Sequence, residues 1–225
     1  MKKLIYICLV LFPFSFFGQE EDTSSFTKFD FGFGFSPEYS YRFLSSDSDN
    51  QWIIDNYDTL EFSKFGYSFG LNGIYHVSPK LDVFVGLQFA DKGEKTKKEL
   101  TPSLNNYTNH YYYLDIPIRA NYFFLDKKMK LYGSAGFSPS VFLNHTIVTK
   151  VEGNDTEQRM VDNTTLSKIN LAAQIGLGFD VSLTNKWYFK MECLYKQSIL
   201  SISHDTPVKK YLYGISPTIG FYFHL

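Results

Sequence analysis

The sequence predicts an all-β protein folded as an eight-stranded, antiparallel, up-and-down transmembrane β-barrel. Three observations predict this fold class. Aromatic residues make up 19% of the 225 residues, although the mean hydropathy is only −0.19. Apolar and polar residues alternate along eight segments, which is the period of a half-buried strand. The connections between these segments alternate between short and long, as they do in outer-membrane barrels.

Composition excludes several other classes. The aromatic content is too high for a disordered chain. After the N-terminal segment no apolar run reaches the 18 residues that suggest a membrane-spanning helix. The formal net charge is −1, so nothing in the charge balance favours nucleic acid as a partner.

The N-terminal segment 1–18 has the features of a secretory signal peptide, which leaves 19–225 as the barrel domain. Two lysines precede the short apolar run 4–17, and Gly18 offers a small residue for cleavage. Cys193 is then the single cysteine of the exported chain, which allows no intramolecular disulfide.

Alternation is clearest in the first and last segments. Aromatic residues occupy every second position for most of residues 29–43, and apolar residues do the same for most of 211–225. Both patterns predict strands with one apolar and one polar face. Six further segments follow the same pattern: 65–77, 81–89, 112–124, 131–143, 171–183 and 187–195.

Connection lengths predict the orientation of the barrel. The second, fourth and sixth segments are followed by the tight connections 78–80, 126–128 and 184–186. The first, third and fifth are followed by the long polar connections 44–61, 92–109 and 150–165. In outer-membrane barrels the turns are periplasmic and the long loops extracellular, so both termini are expected in the periplasm. Apolar alternation up to the last residue predicts a C-terminal strand that the barrel-assembly machinery recognises.

Period two alone does not say which face points inward, because a soluble lipocalin-like barrel has an apolar interior. Most strand glycines fall on the polar face, with Gly73 and Gly133 as exceptions. A narrow eight-stranded interior, in the size class of OmpA and OmpX, needs small side chains between large ones. This favours a polar interior and an aromatic surface that meets lipid.

The polar face would carry a nearly balanced set of acids and bases. Such a set predicts a paired ion network that fills the barrel, with a proton or small-ion path as the alternative. Lys28, Lys92, Glu94 and Lys196 belong to the wider set on this face. The core of the predicted network is Asp30, Glu38, Arg42, Asp82, Asp115, Arg119, Asp180, Lys190 and Glu192.

Histidines near the predicted upper strand ends are the candidates for chemistry. His110, His145 and His204 lie there, the last beside Ser203 and Asp205. No spacing among them is typical of a nucleophile with its base or of a metal site. We therefore predict no catalytic residue, no cofactor site and no metal site.

The first long connection is acidic and also contains apolar residues. Trp52, Ile53, Ile54 and Tyr57 could anchor an envelope protein partner, since aromatic residues dominate such contacts. The alternative is a solvated loop tip with no partner.

Several motifs in order resemble one known family. They are the segment 36–42, the segment 86–98 with its Gly-Leu-Gln-Phe start, the aromatic-Leu-Asp-Ile-Pro-Ile run 113–118, residues 205–208 and the closing 220–223. This set is similar to that of the PorT-like outer-membrane β-barrel proteins. The resemblance implies an eight-stranded outer-membrane barrel. It implies little about activity, although the founding member is associated with type IX protein secretion.

The sequence thus predicts a non-enzymatic integral outer-membrane protein that is a scaffold or accessory subunit of an envelope complex. A type IX secretion or gliding component, a small channel, and a soluble lipocalin-like ligand-binding barrel or surface enzyme are the alternatives. The lipid bilayer, the barrel-assembly machinery and an envelope protein are the expected partners.

Overall fold

The computed structural model describes residues 28–46, 51–96, 106–126, 129–151, 154–159, 165–204 and 206–225. Among these residues lie eleven strands, all paired antiparallel, and one helix. No helix in this part of the chain is long and apolar enough to cross a membrane. The elements are β1 (Phe29–Ser46), α1 (Gln51–Leu60), β2 (Glu61–Ser78), β3 (Leu81–Lys92), β4 (Glu94–Thr96), β5 (Asn106–Asp115), β6 (Ile118–Asp126), β7 (Met129–Val151), β8 (Asn154–Arg159), β9 (Ile169–Ser182), β10 (Trp187–Ser198) and β11 (Val208–His224).

Ten of these strands form a closed ring. Around the ring run β1, β2, β3 with β4, β5 with β6, β7, β9, β10 and β11, and β11 pairs again with β1. Phe33 illustrates the closure, since it lies opposite Leu71 on β2 and opposite Phe221 on β11. β8 lies outside the ring as a hairpin on the end of β7. Closure removes the free edges that an open sheet would expose.

The predicted count of eight strands is wrong, because the ring has ten. The predicted segment 112–124 is divided at Ile116 and Pro117, which separate β5 from β6. Proline has no N–H to donate to a ladder, so regular pairing stops there. β4 lies in a predicted loop and is separated from β3 by Gly93, whose φ of +149° is a conformation that favours glycine.

Two predicted loops also contain regular structure. The connection 44–61 includes α1, and β2 begins at Glu61 rather than at residue 65. β7 continues to Val151 and turns back as β8 inside the predicted loop 150–165. These extensions arise because backbone groups near the rim find ladder partners instead of water. We call this end, with α1 and β8, the loop end, and the opposite end, with the connection 79–80, the turn end.

The polar face of each strand points inward and the apolar face outward. Along β1 the side chains alternate between exposed phenylalanines, such as Phe33 at 48%, and buried polar groups, such as Asp30 at 0%. Ile175 on β9 is 61% exposed. This arrangement does not fit a lipocalin-like barrel, whose interior is apolar.

Two small apolar clusters lie inside the ring. Ala90, Tyr111, Tyr113, Ile202 and Leu212 form one, and Ile74, Phe84, Tyr188 and Tyr222 form the other. The rest of the interior is mainly polar, so ion pairs and hydrogen bonds determine what this lumen can do.

Candidate functional site

Charged side chains inside the barrel form one-to-one ion pairs. In the described part of the chain nine carboxylates are buried, and seven of them contact one lysine or arginine each. A buried charge is tolerated when it is paired in this way. The pairs are Glu38–Lys196, Glu61–Arg42, Asp91–Lys64, Glu94–Lys210, Asp115–Lys92, Asp180–Lys190 and Glu192–Arg119.

One pair spans the lumen. Arg119 on β6 and Glu192 on β10 lie on strands that β7 and β9 separate in the ring, and Arg119 Nη1 is 2.6 Å from Glu192 Oε2. The Arg119 guanidinium also lies 4.1 Å from the centre of the Phe84 ring, and Ser134 donates a hydrogen bond to Glu192 Oε1. These contacts put side chains across the bore where an open channel would hold water.

Nearer the loop end a second pair crosses the interior. Lys210 Nζ on β11 is 2.8 Å from Glu94 Oε1 on β4, and the hydroxyl of Tyr111 donates to the same oxygen at 3.1 Å. Lys196 Nζ donates to Glu38 Oε2 at 2.8 Å across β11. Gly214 on β11 leaves the space for this contact, because a Cβ there would lie 2.8 Å from Glu38 Oε1.

All nine residues of the predicted network are buried, and each contacts an ionic or hydrogen-bonding partner. Asp115 and Arg119 do not contact one another in these pairs. Asp115 Oδ2 is 2.8 Å from Lys92 Nζ, on the neighbouring strand. Lys28, of the wider predicted set, is exposed and immediately precedes β1.

Sequence reasoning missed several members of the interior. Glu61, Lys64, His76 and Lys210 lie in the barrel wall and contact buried acids. The signal for Lys64 was the alternation of β2, which continues upstream of the predicted start. Alternation alone would place Glu61 on the outer face, and Glu61 is buried because the pattern shifts between Glu61 and Lys64. His76 lies on the polar face of the same strand, two residues after the buried Ile74.

At the turn end, histidines rather than lysine or arginine contact two buried carboxylates. His76 Nε2 is 2.7 Å from Asp30 Oδ2, and His76 Nδ1 is 2.6 Å from Asp82 Oδ1. His224 Nδ1 is 2.7 Å from Asp30 Oδ1. The hydroxyl of Tyr188 donates to Asp30 Oδ2 at 2.7 Å. We call Asp30, His76, Asp82 and His224 the turn-end cluster.

The histidines considered for catalysis have other partners. His110 Nδ1 is 2.9 Å from Asp91 Oδ2, and His145 Nε2 is 3.0 Å from the Asn109 side-chain oxygen. The Ser203 hydroxyl donates to the backbone oxygen of Val208 at 3.0 Å. His204 is exposed, and Asp205 lies outside the described residues. The partners of His110 and His145 in these contacts are an aspartate and an asparagine, so neither histidine is paired here with a hydroxyl nucleophile.

Two of the residues predicted to anchor a partner, Trp52 and Ile54, point in different directions from α1. Trp52 is 64% exposed, as an anchor should be. Ile54 is only 7% exposed, so its prediction as a surface anchor is wrong. The reason is that α1 turns this residue toward the barrel, where it lines a groove with Arg42 and Leu44. The side chains of Ile53 and Tyr57 lie outside the described part of the structure.

Comparison with known proteins agrees with this architecture. Residues 17–204 match the family described as Outer membrane protein beta-barrel domain. No curated protein matches the chain. The solved structure of the outer membrane protein OprG from Pseudomonas aeruginosa is similar, with a TM-score of 0.50 and 14% identity over 88% of this chain and 97% of that one. This likeness shows the fold alone.

Two further solved structures resemble the chain less closely in shape. Neisserial surface protein A has a TM-score of 0.46 and 14% identity over 88% of this chain and 97% of that chain. The outer membrane protease OmpT from Escherichia coli has a TM-score of 0.46 and 8% identity over 91% and 99% of the two chains. Neither likeness indicates an activity for this chain.

Proposed function

The chain belongs to the family of outer membrane protein β-barrel domains, and from this premise we propose that it is a non-enzymatic scaffold or accessory subunit of an envelope complex. It resides in the outer membrane, with its apolar outer face against the lipid bilayer. The proposal adds that segment 1–18 directs its export and that the barrel-assembly machinery recognises β11. It also orients the loop end toward the cell exterior and the turn end toward the periplasm.

The cross-lumen pair of Arg119 and Glu192 is the observation that carries this proposal. A selective pore needs a continuous aqueous path and usually an excess of one charge along it. Here seven of the nine buried carboxylates in the described part of the chain each contact one lysine or arginine, and long side chains meet in the bore. A barrel filled in this way supports attachment and assembly rather than transport, so its working surface would be the rim.

Trp52 on α1 is the exposed group at the loop end that best fits contact with a partner. It stands on a helix that turns another apolar residue, Ile54, toward the barrel. A large aromatic group on a fixed support is typical of the anchor at the centre of a protein interface. The resemblance to PorT-like proteins suggests a type IX secretion component as the partner.

The test is affinity purification of the tagged full chain from detergent-solubilised outer membranes. We expect a stoichiometric envelope protein with the native chain and its loss with Trp52→Ala. Trp187→Ala is the matched control, because Trp187 is a similarly exposed tryptophan at the turn end, and it should retain the partner. Isolation of the native chain alone, in several mild detergents, would contradict the scaffold proposal.

Planar-bilayer recording tests the filled lumen separately. We expect no unitary conductance steps from the refolded native chain. Regular steps of one size would favour the channel alternative over the scaffold.

A further inference from the structure

The turn-end cluster differs in charge from the rest of the interior. In the described part of the chain, Asp30 and Asp82 are the two buried carboxylates that contact no lysine or arginine. Among the described residues, the side chains that can supply positive charge to them are His76 and His224, which are cations when protonated. With neutral histidines the cluster holds two uncompensated negative charges, which a divalent cation would balance.

The donor set is that of a transition-metal site. One carboxylate oxygen of Asp30, one nitrogen of His76 and one nitrogen of His224 all lie within 4.8 Å of each other. A tetrahedral Zn²⁺ has ligands about 2.0–2.1 Å away, which places them roughly 3.4 Å from one another. The two Asp30–histidine distances of 2.7 Å, one to each carboxylate oxygen, would therefore open by less than about 1 Å. Donor atoms at the 4.8 Å limit would have to approach by about 1.4 Å, which side-chain rotation can supply.

Contacts with Asp82 and Tyr188 already orient His76 and Asp30 as metal ligands. Asp82 Oδ1 lies 2.6 Å from His76 Nδ1, so a proton on Nδ1 directs the Nε2 lone pair toward Asp30. A carboxylate behind a histidine in this way is the usual support of a zinc ligand. Tyr188 donates a hydrogen bond to Asp30 and fixes its carboxylate in the same manner.

We propose that Asp30, His76 and His224 bind one divalent transition-metal ion of the zinc type at the turn end, with Asp82 as the supporting carboxylate. The side chains of His76 and His224 are 18% and 32% exposed, so an ion can enter from the end of the barrel. Imidazole nitrogens with one carboxylate select zinc-like ions over Mg²⁺ or Ca²⁺, which prefer oxygen ligands.

The site would bridge the strands that close the ring. Asp30 is on β1, His224 is opposite it on β11, and His76 is on β2. A metal held by all three would fasten the first strand to the last near both ends of the chain. Binding to the folded state alone should then stabilise the barrel by mass action.

The experiment is calorimetric titration of the metal-free, detergent-folded full chain with Zn²⁺. We expect one ion per chain, a higher unfolding midpoint with Zn²⁺ than with Mg²⁺, and a Co²⁺ absorption spectrum of tetrahedral type. His224→Gln should abolish this stoichiometric binding. Asp82→Asn should weaken it by roughly 10–100-fold, as loss of a supporting carboxylate does elsewhere.

His110→Gln is the matched control, since His110 also contacts an aspartate but lies toward the loop end. It should bind Zn²⁺ as the native chain does. Heat-modifiable gel mobility establishes that each variant is folded. We chose to replace His224 because it is partly exposed beside the last residue, so its substitution should disturb folding least. Binding that is absent in the native chain, or equal in native and His224→Gln proteins, would overturn the proposal.

Discussion

Arg119 and Glu192 meet across the barrel at 2.6 Å, although they lie on strands that are not neighbours in the ring. Both side chains are almost fully buried, and Phe84 covers the guanidinium. The pair ties opposite walls together, so the interior contributes to the stability of the ring as well as filling it.

Arg119→Ala should lower the free energy of unfolding by about 3–5 kcal/mol, because it leaves Glu192 buried without its cation. Urea unfolding of the detergent-folded chain measures this. Lys80→Ala, in an exposed position at the turn end, is the control and should change stability by less than about 0.5 kcal/mol.

The double change Arg119→Leu with Glu192→Leu should be less destabilising than Arg119→Ala, because no buried charge is left unpaired. If the double variant is the less stable one, the penalty comes from lost packing and not from an uncompensated carboxylate.

Gly214→Val should displace Glu38 from Lys196, since a Cβ at this position would lie 2.8 Å from Glu38 Oε1. Overpacking of this kind destabilises by about 1–3 kcal/mol. The measurement is the urea concentration at which half of the chain is unfolded, with gel mobility as the readout of folding. Gly73→Val is the matched control, because its Cβ would meet nothing closer than Phe29 Cε1 at 3.8 Å. Equal midpoints for the two variants would show that Glu38 moves away at little cost.

Period-two alternation predicted an all-β barrel, and the glycines on the polar face predicted that this face points inward. Alternation placed Asp30, Arg42 and Glu192 on the same face because side-chain direction is a local property of a strand, and all three are buried. It did not predict that strand pairing stops at Pro117, since the apolar alternation of Leu114, Ile116 and Ile118 continues past that residue. Position in a pattern does not reveal where the ladder is broken.

Partners across the lumen could not be predicted either. Which residue Glu192 meets depends on the stagger of all strands between β6 and β10, and that stagger is a property of the closed ring. The turn-end cluster was missed for the same reason, because His76 and His224 are far apart in sequence and meet only through β1.

Ile175→Arg should destabilise the barrel in lipid by roughly 2–4 kcal/mol, the effect of a cation at the bilayer midplane. Ile175 is exposed at the middle of β9. Folding into vesicles under a urea gradient measures this. Leu200→Arg is the control, because Leu200 is also exposed but lies in the connection after β10. An Ile175→Arg chain as stable as the control would argue that this face does not meet lipid.

Cys193 should be protected from charged, membrane-impermeant maleimide in intact outer membranes and should react after denaturation in detergent. Its side chain is exposed on β10, and it lies opposite Leu177 and Pro217 on the neighbouring strands, so lipid should surround the thiol. Labelling is read as a mass shift of the purified chain.

The same reagent tests the orientation of the barrel. In a Cys193→Ala background, Leu200→Cys should be labelled on whole cells, whereas Asn185→Cys at the turn end should react only after the cells are opened. The reverse pattern would place the turn end outside the cell.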